Sequence, residues 1–277
     1  MTTVLDGALC ATLALPALLG ACSGRDTAPA EPATADVRIG VNGGTLQMSD
    51  TVEPGWRRVR VEEDGSGHIV VVFRVADDVH TADTAALLHA LDTAAATPAL
   101  ATALGGPEVG DTGEVVIHFT PGSYLVGCVR RGGDGHRHLG TGEARFVTVP
   151  RGRAGSTATD PPVATDTIRM VDFAYAGPER WASGPRMLRV ENAGQQDHQI
   201  RLARLRAGAS VSDWLEAEEP GDVATAVAGV ARLGRGEVAY LPGDLPPGNY
   251  VMYCLVADPA SGEPHIALGM LKAIRVE

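Results

Sequence analysis

Two stretches of this chain carry soft metal-binding side chains in the same order. One reads Pro247-Gly248-Asn249-Tyr250, then Cys254, then His265-Ile266-Ala267-Leu268-Gly269-Met270. The other reads Pro121-Gly122-Ser123-Tyr124, then Cys128, then His136-Arg137-His138-Leu139-Gly140-Thr141. Upstream of each lies a further matched pair, Arg60-Val61-Glu62 with Gly65 and His68, and Arg189-Val190-Glu191 with Gly194 and His198. The order His, Cys, His, Met supplies two imidazoles, a thiolate and a weak thioether, the donors of a trigonal His2Cys copper centre with a long axial contact. His198, Cys254, His265 and Met270 form the full set. His68, Cys128 and His136 form a thinner one, with Thr141 in the fourth place and His138 as an extra ligand or, more simply, a loop histidine.

The elements that must position these groups repeat with them. His68 precedes Cys128 by 60 residues and His198 precedes Cys254 by 56. The second His follows its Cys by 8 or 11 residues, and the fourth position follows that His by 5 in both copies. Differences of this size suit insertions in surface loops between strands that keep their places. A repeat of about 115 residues is also the size of an ordinary domain.

On these residues both copies resemble the cupredoxins, the blue-copper β-sandwich proteins. The Pro-Gly-x-Tyr-x-x-x-Cys approach to the thiol and the His-x4-Met ending carry the resemblance, which covers the chain from about residue 36 onward. It implies an all-β fold of two tandem Greek-key β-sandwich domains, each with a short helical insertion. It also implies one copper in the second domain, on His198, Cys254, His265 and Met270, and a degenerate site in the first, on His68, Cys128 and His136. The Cys-to-His loop is longer than in the small cupredoxins. Asp258-Pro259-Ala260-Ser261-Gly262 reads as a turn that folds the excess back.

Strand signals agree with that fold. Short β-branched and aromatic runs separated by Gly and Pro fall at 57–61, 68–75, 114–119, 123–129 and 144–149, and again at 186–190, 198–205, 237–240, 249–256 and 271–276. Alternation places His198, Ile200 and Leu202 on one face, and Tyr250, Met252 and Cys254 on another. An Ala- and Leu-rich stretch from Thr81 to about Leu104 predicts a helix, with Leu87, Leu88 and Leu91 at helical spacing. Ser210-Val211-Ser212-Asp213 predicts a capped start to a shorter one, with Trp214 packing it onto the sandwich.

The first 35 residues read as export and tethering. Residues 8–21 form one apolar run interrupted by Pro16, too short to span a bilayer but suited to a secretory signal. It ends Leu19-Gly20-Ala21-Cys22, resembling a bacterial lipoprotein box and making Cys22 the expected lipidation site, although no Lys or Arg precedes the run. Residues 23–35, rich in Pro, Ala and Thr, have nothing to bury and form a flexible tether. The expected organisation is then a signal at 1–22, the tether at 23–35, a first domain at 36–150, a linker at 151–165 and a second domain at 166–277.

With Cys10 removed and Cys22 acylated, Cys128 and Cys254 remain at equivalent places in separate domains, where a disulfide between them is improbable. An exported protein with two unpaired thiols has a use for them as ligands or buries them as small hydrophobes. The net charge of −11 argues against nucleic acid, whose phosphates demand a basic surface. There is no His-Cys-His, Gly-x-Ser-x-Gly, HExxH or P-loop sequence, and eight histidines are too few for a trinuclear copper cluster, so no enzymatic role is expected. The expected protein is an extracytoplasmic, lipid-anchored copper binder for electron transfer or copper handling, partnered by the membrane and by a redox or copper-donor protein. The alternative is a metal-free interaction module on the same fold.

Overall fold

Alternating β-branched residues and well-placed Gly and Pro turns make strands the main regular element of the computed structural model. It describes residues 36–63, 67–77, 79, 83–94, 97–108, 112–151 and 160–277. The signal, Cys22, the tether and residues 152–159 of the linker lie outside the described residues.

The first half contains β1 (Asp36–Asn42), β2 (Thr45–Gln47), β3 (Gly55–Glu63), β4 (Val70–Val75), α1 (Thr84–Thr93), β5 (Ala101–Ala103), β6 (Thr112–Phe119), β7 (Gly122–Cys128) and β8 (Ala144–Val149). The second contains β9 (Asp166–Val171), β10 (Ala174–Ala176), β11 (Arg180–Trp181), β12 (Gly184–Asn192), β13 (His198–Leu205), α2 (Val211–Glu216), β14 (Ala224–Leu233), β15 (Val238–Leu245), β16 (Gly248–Tyr253) and β17 (Leu271–Val276). In the first half the order β2-β1-β3-β6 packs on β5-β4-β7-β8; in the second, β10-β9-β12-β15 packs on β14-β13-β16-β17, with β11 added at the edge. The strand orders are the same. Even the parallel pairs correspond, β1 with β3 and β9 with β12. Each half is an all-β Greek-key sandwich with a helical insertion, as the sequence predicts.

The two sandwiches share a sheet. β6 pairs antiparallel with β15, Ile117 opposite Ala239 and Val116 opposite Tyr240, fusing two four-stranded sheets into one of eight. The segment after β5 then lies on β14, with Leu104 bridging Leu233 and Pro107 bridging Val230. Gly229 permits this approach, because a Cβ there would sit 2.7 Å from the Glu108 carbonyl and 2.8 Å from that of Ile200. One apolar cluster consequently runs through both halves, from Ile39 and Val59 to Ile200 and Cys254.

The insertions differ from expectation in length. α1 ends at Thr93, well short of Leu104. Pro98 cannot donate to a helix and biases the residue before it toward extended backbone, and Ala103 beyond it is taken by β4 opposite Phe73. Leu87 and Leu91 are buried against the first sandwich. α2 begins with a full capping box: Ser210 Oγ accepts the Asp213 N–H at 3.1 Å, and the Asp213 carboxylate accepts the Ser210 N–H at 2.7 Å. Trp214 packs on Tyr253 with ring centroids 4.8 Å apart.

Candidate metal centre

The second-half site forms where three strand ends meet. His198 opens β13, Cys254 follows the last residue of β16, and Met270 precedes the first residue of β17. Backbone hydrogen bonds lock the loop between them. Val256 C=O accepts from His265 N–H at 2.9 Å, and His265 C=O accepts from Met270 N–H at 2.9 Å. Met270 C=O in turn accepts from Cys254 N–H at 3.3 Å. The excess loop folds back as a hairpin in which the Asp258 carboxylate accepts from Ser261 N and Oγ, each at 2.8 Å.

His198, Cys254, His265 and Met270 are all fully buried. His198 Nδ1 lies 3.0 Å from His265 Nδ1, and Cys254 Sγ lies 3.4 Å from the latter. The far side of each ring decides what these nitrogens are. His198 Nε2 is 3.0 Å from Asp172 Oδ1, an acceptor, so Nε2 carries the proton. Gln196 donates its amide to Asp258 Oδ1 at 2.9 Å, which turns its carbonyl toward His265 Nε2 at 3.0 Å and protonates that nitrogen too. Burial holds both imidazoles below their ordinary pKa; His265, which also faces His198, falls to about 4. At neutral pH two lone pairs therefore point at each other across 3.0 Å, beside a sulfur, with no proton between them. The Cys254 S–H can satisfy only one of them, which leaves the other without a donor unless a cation sits among the three, and the residues present fit one.

The sulfur is prepared as well as buried. Burial pushes the Cys254 thiol up to about 12, while the backbone N–H groups of Gln199 and Val256 point at Sγ and favour its anion. A free thiolate does not persist here; a metal-bound one has two donors waiting.

Several participating residues carry no motif signal. Asp172 comes from the turn between β9 and β10 and accepts from Gln195 N–H at 2.8 Å as well as from His198. Burial raises its carboxyl, but these hydrogen bonds outweigh that and hold it below the usual range. Phe173 beside it adopts φ 61°, unusual for a non-glycine residue, and sets its ring edge-on to His265 at 5.3 Å. Gly194 must lack a side chain, since a Cβ would lie 2.6 Å from His198 Nε2. Replacing Asp172 by Ala frees the His198 ring to change tautomer and should weaken copper binding roughly 10–100-fold, measured by competition with a chromophoric chelator. Unchanged affinity would show that Asp172 does not orient the ring.

The first half corrects the expected ligand set. His68 and Cys128 come together, but the second imidazole beside them is His138, not His136. His136 is exposed, its Nδ1 held 2.7 Å from Asp92 Oδ2 of α1. The physical reason is the path of the loop. Residues 131–137 form a small hairpin, with Arg131 bridging Arg137, and His138 N–H bonds Arg130 C=O at 2.9 Å as His265 N–H bonds Val256 C=O. The fourth place shifts with it. Glu143, not Thr141, corresponds to Met270: its C=O accepts from Cys128 N–H at 3.0 Å and its N–H donates to His138 C=O at 3.0 Å. Thr141 turns its hydroxyl to the His138 carbonyl. Cys128 and Cys254 are both buried and neither forms a disulfide.

No family model matches this sequence, and no curated protein matches it. Among solved structures it is similar to a dithionite-reduced auracyanin from the photosynthetic bacterium Roseiflexus castenholzii, at 22% identity over 40% of this chain and 94% of that one, with a TM-score of 0.29. It is similar to a copper-containing nitrite reductase from Thermus scotoductus, at 13% identity over 88% of this chain and 61% of that one, TM-score 0.24. A multicopper oxidase matches at 14% identity over 87% of this chain and 88% of that one, TM-score 0.26. The expectation of no enzymatic role is corrected here, because two of these similar structures are enzymes by title. Missing sequence motifs were a poor ground for that exclusion, since catalytic groups converge in space from distant segments. Among the described residues no helix is long and apolar enough to cross a membrane. Strand order and the placement of the His-Cys-His groups make both halves of this chain cupredoxin-like.

Proposed function

We propose that the second half binds one copper ion through His198, Cys254 and His265, with Met270 as a weaker fourth donor, and that the protein carries electrons or handles copper. The supporting observation is the pair of opposed Nδ1 acceptors at 3.0 Å beside a buried sulfur. When bound, copper supplies a one-electron couple. The chain's own residues fix the donors. Asp172 and Gln196 hold the rings, the N–H groups of Gln199 and Val256 hold the sulfur's charge, and the apolar sandwich excludes water. A frame already locked in place reorganises little when the charge at its centre changes. The Leu19-Gly20-Ala21-Cys22 sequence supports lipidation at Cys22 and an extracytoplasmic, membrane-anchored location, with a redox or copper-donor protein as partner.

The test is Cu(II) titration of the full chain carrying Cys128→Ser, which isolates the second thiol. An intense visible thiolate-to-copper band saturating at one equivalent is expected; its absence would leave the metal-free module as the better reading. Binding releases the Cys254 proton, whose thiol sits at about 12, while His265 stays neutral above about 4. Affinity should therefore fall about tenfold per unit as pH drops from 9 to 5, and more steeply below that, as His265 also protonates. A flat profile would mean that the thiol is not a ligand.

A further inference from the structure

We infer that the first half holds a second and chemically different metal centre: a four-donor site for a divalent cation, best suited to Zn(II), built from His68, Cys128, His138 and Glu143. One donor atom from each of these residues lies within 4.8 Å of all the others. Glu143 Oε2 is the meeting point, 2.8 Å from His68 Nδ1 and 3.2 Å from His138 Nδ1, and His138 Nδ1 is 3.7 Å from Cys128 Sγ. The Cys128 thiol also hydrogen-bonds the Glu143 carboxylate, while the backbone N–H groups of Ile69 and Arg130 point at its sulfur. Those two donors stand one residue after the first His and two after the Cys, as Gln199 and Val256 do in the other half. The frame is thus the same, and one donor has been changed.

That change moves the site from a soft monovalent ion toward a harder dication. Thiolate plus thioether brings one negative charge, which neutralises a monovalent copper and suits a soft one. Thiolate plus carboxylate brings two, which neutralises a dication, and the carboxylate oxygen is a hard donor. Imidazole, thiolate and carboxylate are all ligands that Zn(II) takes, and four such donors are the number its tetrahedral preference asks for. Three of the side chains are screened accordingly, with His68 5% and Glu143 7% exposed and Cys128 fully buried, while His138 stays 24% exposed. A carboxylate this buried needs a positive partner or several donors, and both imidazoles converge on the same oxygen. Binding would expel the Cys128 proton to solvent and shift the imidazole protons that face Glu143 Oε2 to the far ring nitrogens, freeing two nitrogens, the sulfur and the oxygen to form the metal–ligand bonds. It requires no oxidant or reductant, and it does not depend on copper binding in the second half.

The test uses the full chain with Cys254→Ser, stripped of metal. Co(II) serves as the optical probe, and Zn(II) is then added to displace it. One equivalent of Co(II) should bind, with tetrahedral visible bands and a near-ultraviolet thiolate band that Zn(II) abolishes. Adding Cys128→Ser or Glu143→Gln should weaken binding at least tenfold. The swap Glu143→Met should shift the preference from Zn(II) toward Cu(I), measured by paired chelator competitions, and serves as the second variant if Glu143→Gln misfolds. Less than one-tenth of an equivalent of bound Co(II), or affinity indifferent to Cys128→Ser, would overturn the site. Zn(II) affinity unchanged by Glu143→Met would overturn the role of the carboxylate.

Discussion

Cys254→Ser should abolish the visible charge-transfer band of the copper-loaded second half and lower its copper affinity about a hundredfold or more. Structural Zn(II) sites with imidazole and thiolate donors contribute about 10–16 kcal/mol, and on that scale one donor of four accounts for roughly 3–4 kcal/mol. That is about a hundred- to a thousandfold in affinity. Serine is slightly smaller and more polar than cysteine, but its hydroxyl has the nearby His265 Nδ1 as an acceptor, so the fold should survive. Cys254 N–H still donates to the Met270 carbonyl, and the apolar cluster around the side chain loses only a sulfur. The control is far-UV circular dichroism and a urea melt on the same sample. A variant that folds normally and binds copper as tightly as the parent would show that the thiolate is not a ligand, and the copper reading would fall with it.

Glu108→Ala should be the most damaging change outside the metal-binding groups, costing about 3 kcal/mol in urea unfolding. Glu108 belongs to the first half but lies buried against the second. Its carboxylate accepts from Arg201 Nε at 2.6 Å and from Gln199 Nε2 at 3.0 and 3.1 Å. Burial pushes its carboxyl up, with Arg201 and Gln199 working against that. Removing one partner of a buried pair costs about 3–5 kcal/mol, and the lower end applies because the Arg201 side chain remains 28% exposed. Glu108→Gln keeps part of the hydrogen bonding and should cost less. Gln199 also presents its backbone N–H to Cys254, so the loss should loosen the His198-Cys254-His265 cluster in the other half. A midpoint shift corresponding to less than about 0.5 kcal/mol, the range of ordinary surface substitutions, would show that the Glu108 pairing does not help to hold the halves together.

Strands with strong β-branched alternation were legible in the sequence. Those built from small or mixed residues were not. β14, Ala224–Leu233, is mostly Ala, Val and Gly, with no clear period, because it lies under β13 on one edge and accepts the first half on the other. β1 and β9 pair in parallel with β3 and β12, skipping the strands in between, which no local pattern announces. The helix from Thr81 was overextended because Ala-rich sequence outweighed the single Pro98.

The misplacement of the first-half imidazole is instructive. Matching Leu-Gly in His136-Arg137-His138-Leu139-Gly140 to Leu268-Gly269 selected His136 and Thr141. Counting back from the last strand of each half instead gives His-x4-Glu before Ala144 and His-x4-Met before Leu271. The signal was present, but loop letters between insertions are a poor ruler. The backbone pairing that ties the fourth residue to the Cys is the better one.

The sequence by itself determined the all-β class, the internal repeat, and the identity of His198, Cys254 and His265 as a cluster. Such assignments follow from residue type and strand-end spacing, which are local. Only the tertiary structure decided that the sandwiches share an eight-stranded sheet, that Asp172 and Gln196 fix both imidazole tautomers, and that Glu143 stands where Met270 does. The first two depend on side chains or strand edges brought together from 26 to more than 100 residues apart, which no spacing within one segment can specify. The third rests on the backbone hydrogen bonds that tie Glu143 to Cys128 and His138, which pick one of several competing loop spacings.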